Sequence, residues 1–469
     1  MSQKEWIEQF IKETSDKWTK TSDFLWEHPE LRFEEYESVK HLIAVLRDEG
    51  FIVEENIANI ETAFVAEYGS GSPVIAFLGE YDALADMSQK SSVTKQEPLE
   101  KGANGHGCGH HLLGTGSLTA AVALKSYLIE HELEGTVLYY GCPAEEGGSG
   151  KTFMAREGAF DGVDIAFTWH PMTFTGVWSF STLANIQAKF TFKGKSAHAA
   201  QAPHLGRSAL DAVELMNVGV NYMREHMIEE ARVHYAVTNT GGTSPNVVQS
   251  HAEVIQLIRA PEIDQVKALF ERVKKIAEGA ALMTETEVEV TFDKACSNYV
   301  PNHTLNKVLA EAMEEVGPMS FTEEEMGFAK EMQGTLSKEE LASANMGIPA
   351  LDAVLQKPLS DVVVPYFKTD IVLSGSTDVG DVSWVAPTAQ LFSTTAAVGS
   401  ALHSWQFVAQ GKISYAHKGM LQAAKYMALA AIKALHDEEI IEKAKEELRK
   451  KLSGKQYECP IPADVQPNQ

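Results

Sequence analysis

Little in this chain would tie it to a membrane, a nucleic acid or an oxidising compartment. Its four cysteines, at positions 108, 142, 296 and 459, are too few and too scattered for a disulfide framework, so a reducing cytoplasm is the expected setting. Cationic residues are scarce. Forty Lys and Arg stand against 65 Asp and Glu, a formal net charge of -25. Such a balance argues against nucleic acid and anionic membrane as partners, and it leaves any anionic ligand in need of a local basic pocket. No apolar run reads as long enough to cross a bilayer. The opening stretch MSQKEWIEQFIKETSDKW is polar and amphipathic, without the apolar core and small-residue cleavage site of a secretory leader.

What is present fits a globular enzyme of two domains, since 469 residues exceed one ordinary core. Residues up to about 49 read as helices, with Pro29 marking a turn. Short apolar runs then alternate with helical patterns: strands at 74–79 (VIAFLG), 135–142 (GTVLYYGC) and 163–169 (VDIAFTW), and a helix at 112–128. This predicts an α/β domain with a mixed sheet flanked by helices. From residue 184 the texture changes. Strand-like alternation at 186–192, 233–239, 253–258 and 286–292, with helical patterns at 208–225 and 263–278, gives the order β-α-β-β-α-β. That order predicts an inserted α+β, ferredoxin-like domain over 184–297. The first domain, 1–183, would resume at 298–469 with strands at 369–374 and 390–395, helices at 418–436 and 437–451, and a loose tail from Pro460.

The chemistry-bearing residues follow the strands, where ligands bind in open α/β sheets. Glu80 and Asp82 follow the first strand, Glu145 and Glu146 the second, and His170 the third. The densest cluster is HGCGHH at 106–111. Thiolate, imidazole and carboxylate are the usual donors for a borderline divalent metal, and Cys108 sits just before a predicted helix N-terminus, which favours its thiolate. Taken alone, the cluster is also readable as a glycine-rich phosphate loop. The segment PAEEGG at 143–148 places two carboxylates side by side; one can bind metal while its neighbour moves protons, although an isolated Glu-Glu pair is more often a solvated turn. His170 and His403 are persuasive only as members of the set.

HGCGH, PAEEGG, WHP and LHSW, in this order and at this kind of spacing, resemble the amidohydrolase branch of the glutamate carboxypeptidase and aminoacylase family. The resemblance runs from about residue 21 to 432. It is closest to the aminobenzoyl-glutamate hydrolase group, to which GSTDVGDVSW at 375–384 also points. It implies a zinc-peptidase-like catalytic domain with an inserted dimerisation and lid domain. It implies two divalent metals, manganese or zinc, held by Cys108, His110, Glu146, His170 and His403, with Glu145 as general base. KSAHAA at 195–200 resembles the motif whose histidine serves the partner subunit's site, which gives His198 the role of stabilising the oxyanion. Asn246, in SPNVV, and Arg259 match substrate-binding positions. The family's usual His-x-Asp pair reads Glu80-Tyr81-Asp82 here, which leaves Asp82 to orient a ligand. The roles of His106 and His111 stay open.

The implied reaction is hydrolysis of the amide bond of an N-acyl or N-aroyl amino acid, first p-aminobenzoyl-glutamate, with other N-acyl amino acids or dipeptides as alternatives. A homodimer is expected, with a homologous second chain as a further partner. Two other classes compete. A thiol hydrolase using Cys108 and His110 would leave Glu145, Glu146, His170 and His403 idle, and a catalytically silent metal-binding subunit would have no use for Glu145.

Overall fold

The computed structural model describes residues 1–345, 351–352 and 354–468; Gln469, the end of the expected tail, lies outside the described residues. The chain divides into two compact units. The first comprises Met1–Phe180, Val300–Asp370 and Val382–Tyr457, and the second Ser181–Tyr299, Ile371–Asp381 and Glu458–Gln469.

The first unit is built on an eight-stranded mixed sheet. In spatial order its strands are β1 (Ile52–Glu55), β2 (Phe64–Ser70), β4 (Gly135–Cys142), β3 (Val74–Glu80), β5 (Ile165–Met172), β14 (Thr388–Thr394), β6 (Thr175–Val177) and β12 (Val363–Val364). The four central strands, β4-β3-β5-β14, run parallel, so their carboxyl ends share one rim. Each is almost wholly buried, as a parallel strand covered on both faces must be. The helices Gln3–Glu27, His110–Glu130 and Ser414–His436 pack together against this core. Gln3–Glu27 starts with a capping box in which Ser2 and Glu5 satisfy each other's backbone amides.

His110–Glu130 is apolar all round and lies directly on the sheet. Two glycines permit the approach. A Cβ at Gly114 would sit 2.5 Å from the Glu80 carbonyl oxygen, and one at Gly116 would sit 2.7 Å from Trp169 Nε1. This helix corrects the expectation that no segment is long and apolar enough to span a bilayer, for it passes that test by length and composition. The helix is a core element nonetheless, because 89% of its most apolar window is buried inside the protein. Periodicity cannot separate the two cases, since a helix surrounded by protein and one surrounded by lipid are both apolar on every side.

The second unit holds an antiparallel sheet in the order β11 (Glu287–Cys296), β8 (Ala184–Lys193), β10 (His251–Ala260), β9 (Arg232–Asn239). The helices Ala209–Met223 and Ile263–Thr284 cover one face. Ala252, Val254, Gln256, Ile258 and Ala260 of β10 point under them, and the residues between are half-exposed. The chain order β-α-β-β-α-β with this strand arrangement is ferredoxin-like. Two short segments predicted to belong to the first domain pack with this unit. Val372–Leu373 forms β13 beside β7 (Ser181–Thr182), so the strand expected at 369–374 shrinks to two residues. The expected loose tail is anchored instead, with Pro460 and Ile461 buried.

Candidate metal centre

The rim of the parallel strands gathers the acids and imidazoles. β3 ends at Glu80, with Asp82 two residues on, and β4 ends at Cys142, before Glu145 and Glu146. His170 lies within β5 rather than after it, and His403 stands in the loop beyond β14. Cys108 and His110 come from the glycine-rich approach to the helix His110–Glu130. Gly109 has φ +79°, a left-handed conformation, and a Cβ there would press on Pro171 at 3.0 Å. The backbone amide of His403 donates to the Gly107 carbonyl oxygen at 2.8 Å, which ties the last loop to the first.

Within unit one the five predicted ligands fall into two groups that share a sulfur. Cys108, His110 and His170 bring donor atoms within 4.8 Å of one another, and so do Cys108, Glu146 and His403. Cys108 Sγ lies 3.5 Å from His170 Nε2, and His403 Nε2 lies 3.2 Å from Glu146 Oε1. Second partners fix the tautomers. His110 Nδ1 pairs with Asp82 Oδ1 at 2.8 Å, and His170 Nδ1 pairs with the Pro171 carbonyl oxygen at 2.8 Å. In its neutral form each ring then donates through Nδ1, which leaves the Nε2 lone pair for a cation. The other oxygen of Asp82 accepts from the Glu146 amide at 2.8 Å, so one buried carboxylate orients a candidate ligand of each group.

The electrostatics favour a cation. His110 Nε2 is buried and makes no hydrogen bond, yet carboxylate oxygens of Glu80 and Glu145 stand 3.3 and 4.0 Å from it. Burial pulls the His110 pKa down, but Asp82 and Cys108 outweigh it and hold it well above the ordinary value. The surroundings therefore stabilise positive charge at that ring. Burial also works against Glu146, but His403 and His110 overcome it and draw its carboxyl down to about 2. Cys108 departs from expectation. Burial first, and Glu146 next, push its thiol well above the usual range. A bound cation is what would hold the sulfur as thiolate. Thiolate, imidazole and carboxylate donors at these separations fit a divalent metal.

Glu80, His110 and Glu145 form a third group, in which sequence reasoning gave a ligand role to His110 alone. One Glu80 oxygen is held at 2.7 Å by Lys151 Nζ, a fully buried lysine from the segment after PAEEGG that no motif singled out. Burial raises the Glu80 pKa, and Lys151 with His110 more than reverses this. His106 and His111 belong to none of the three groups among the described residues. Each pairs Nε2 with a carbonyl oxygen, His106 with that of Leu25 at 3.0 Å and His111 with that of Gly411 at 2.9 Å. Burial keeps both neutral, with His106 drawn down to about 3.

His198, Asn246 and Arg259 lie on the second unit. His198 is exposed, and its Nδ1 accepts from the Ala200 and Gln201 amides at 3.3 and 3.1 Å, so its proton sits on Nε2. The loop carrying Asn246 pairs with this one through a bridge between His198 and Val247. Arg259, on β10, donates to Ser376 Oγ at 3.0 Å and stands opposite Arg232 in the ladder. After burial, Arg259, Arg224 and Arg232 lower the pKa of nearby His234, the mark of a local positive field in an acidic protein.

The profile of the peptidase dimerisation domain matches residues 184–285. One of the subunits of the p-aminobenzoyl-glutamate hydrolase of Escherichia coli K12 is 51% identical over 471 residues, covering 98% of both chains. Among solved structures, an aminobenzoyl-glutamate utilization protein from Klebsiella pneumoniae superposes with TM-score 0.60 at 18% identity, over 92% of this chain and 98% of that one. A dinuclear metal binding peptidase of the M20 family from Bacillus subtilis gives 0.57 at 20%, over 91% and 99%. At those identities the structural likeness speaks for the fold, while the sequence match reaches further: the chain belongs to the M20 family of hydrolases, on the branch that includes the Escherichia coli p-aminobenzoyl-glutamate hydrolase chain.

Proposed function

We propose that the chain cleaves the amide bond of an N-acyl or N-aroyl amino acid, with p-aminobenzoyl-glutamate as the leading substrate and p-aminobenzoate and glutamate as products. The observation that carries the reading is the shared sulfur: two three-residue groups, each of which could hold a divalent ion, meet at Cys108. Two divalent metals there would polarise the scissile carbonyl and make a water acidic enough to react at neutral pH. Mixed sulfur, nitrogen and oxygen donors suit zinc, with manganese the next choice.

The chain's own groups supply the rest. Glu145 belongs to neither Cys108 group and stands with Glu80 beside His110, where its carboxylate would take a proton from water and return it to the leaving amine. His198, with its proton on Nε2, donates to the developing oxyanion, and Asn246 on the adjoining loop assists at the carbonyl. We assign both to the partner's site in a homodimer, a role the dimerisation-domain match supports; a homologous second chain is the alternative partner. Arg259 offers a planar fork to the substrate carboxylate, with Arg232 beside it to offset the chain's acidic background. The four free thiols fit a cytoplasmic setting.

The test is turnover of p-aminobenzoyl-glutamate by protein loaded with zinc or manganese, beside N-acetyl amino acids and dipeptides. Glu145→Ala should lower kcat by roughly 10²–10⁴-fold with metal content unchanged. Persistent turnover in the variant would overturn the role of Glu145, and activity confined to the other substrates would reassign the acyl group.

A further inference from the structure

The segment HPELRFEE at 28–35 has no part in the chemistry described so far, yet it touches the two loops that carry Asp82, Cys108, Glu145 and Glu146. The Pro29 carbonyl oxygen accepts from Asn104 Nδ2 at 3.1 Å, on the approach to Cys108 and His110. The Glu30 carbonyl oxygen accepts from the Ala83 amide at 2.8 Å, next to Asp82. The Arg32 guanidinium donates to the Gly147 carbonyl oxygen. Phe33 lies so close to Gly148 that a Cβ there would fall 2.4 Å from its ring. Glu35 Oε1 accepts from the Ala144 amide at 2.8 Å.

The last contact is the most informative. Ala144 immediately precedes Glu145 and has φ +60°, the left-handed region that residues with a Cβ avoid. Such a conformation persists only where the surroundings impose it. Glu35 is fully buried, belongs to no metal-ligand group among the described residues, and spends one oxygen on this single amide. We propose that Glu35 is a positioning residue: by gripping the Ala144 amide it fixes the turn that points Glu145 and Glu146 at the metal centre. This rests on the reading of Glu145 as the proton-transfer group.

Burial, and next the nearby Asp82, push the Glu35 carboxyl up to about 8, so near neutrality it is mostly a neutral acid. Glutamine has the same shape and is also neutral. It can present the same oxygen to Ala144, whereas leucine fills the space and offers no acceptor.

The experiment compares Glu35→Gln and Glu35→Leu in the full-length metal-loaded protein. It measures kcat, KM, bound metal at saturation and hydrogen exchange of the peptide covering residues 143–149. Glu35→Leu should speed that exchange and cut kcat by roughly 10- to 100-fold, with KM within about threefold and metal content unchanged. Glu35→Gln should restore both exchange protection and most of kcat. Wild-type kcat or unchanged exchange in the leucine variant would overturn the proposal, as would a glutamine variant no better than leucine. If the leucine variant does not fold, Glu35→Asp decides, because it keeps the carboxyl but withdraws it one methylene from Ala144. A severalfold fall in kcat is then expected, and wild-type kcat refutes. The two readings fail separately: activity surviving in Glu145→Ala removes the role of Glu145, while the exchange of residues 143–149 still tells whether Glu35 holds the loop.

Discussion

Asp82 offers the sharpest test of how the centre is aimed. It is 1% exposed and spends both oxygens within the site, accepting from His110 Nδ1 and from the Glu146 amide at 2.8 Å each. Asp82→Asn keeps the shape. Its remaining oxygen can serve one donor, but its Nδ2 then meets the other donor head-on. A buried amide or ring N–H that loses its acceptor costs about 1–3 kcal/mol. Relief comes from turning His110 or Glu146 away, and both are among the residues proposed to hold metal. Loss of such supporting partners typically weakens metal binding about 10–100-fold. At about 1.4 kcal/mol per tenfold, that corresponds to roughly 1.4–2.8 kcal/mol, close to the cost of one orphaned donor. Metal-free protein would be titrated with zinc against a chromophoric chelator, for wild type and variant, with thermal unfolding of both metal-free forms as the control on folding. Weaker binding with a similar unfolding midpoint supports the argument. Unchanged affinity would refute it, because it would mean that His110 and Glu146 hold their directions without Asp82.

Three further outcomes are expected. Arg259→Lys should raise KM for a glutamate-bearing substrate about tenfold or more with little change in kcat, since lysine cannot make the paired hydrogen bonds of a guanidinium; steady-state kinetics checks it. Gly114→Ala should destabilise the fold by about 1–3 kcal/mol in urea unfolding, because the new Cβ would lie 2.5 Å from the Glu80 carbonyl oxygen, a backbone atom that cannot swing aside. Glu447 caps the helix His303–Val316 by accepting from the His303 and Thr304 amides at 2.8 and 2.9 Å, and these bonds, with the Thr304 hydroxyl and Lys451, overcome burial to hold its pKa at about 2. Its folded pKa lies below the unfolded value, so its contribution is complete above about pH 4.5 and is lost as pH falls toward 2. The stability gap between wild type and Glu447→Gln, measured by denaturant titration, should narrow over that window.

The architecture was legible where the sequence carries a period. Buried parallel strands read as continuous apolar runs, and the half-exposed β10 alternates residue by residue, so the mixed sheet and the inserted α+β unit both follow from pattern. What eluded pattern was pairing at a distance. Residues 371–381 and the C-terminal stretch carry no period that says which unit they join; for the first, long-range contacts decide it, among them the match of β13 to β7 and the bond from Arg259 to Ser376. In the centre, residues with strong chemical identity in strand-end loops could be named in advance. Lys151 could not, because a lone lysine in a helix reads as a surface residue until the fold buries it against Glu80. Nor could Glu35, whose meaning lies in one amide 109 positions away. At the Cys108 thiol the fold adds burial, which works against the local cue of the helix N-terminus.

The buried charges bear on how many ions the centre holds. Glu80, Asp82, Glu145 and Glu146 are carboxylates, and Cys108 must be a thiolate to serve as a ligand; beside a neutral His110, Lys151, paired with Glu80, supplies one positive charge. Glu35 adds little charge near neutrality, because burial keeps its proton on. The set therefore carries four net negative charges in a place nearly closed to water, where unbalanced charge is most costly. Two divalent ions would cancel that charge, whereas one would leave half of it standing. The same reasoning explains why the raised His110 pKa and the unbonded His110 Nε2 occur together. The carboxylates that raise the His110 pKa would equally favour a cation at that Nε2, which makes no hydrogen bond.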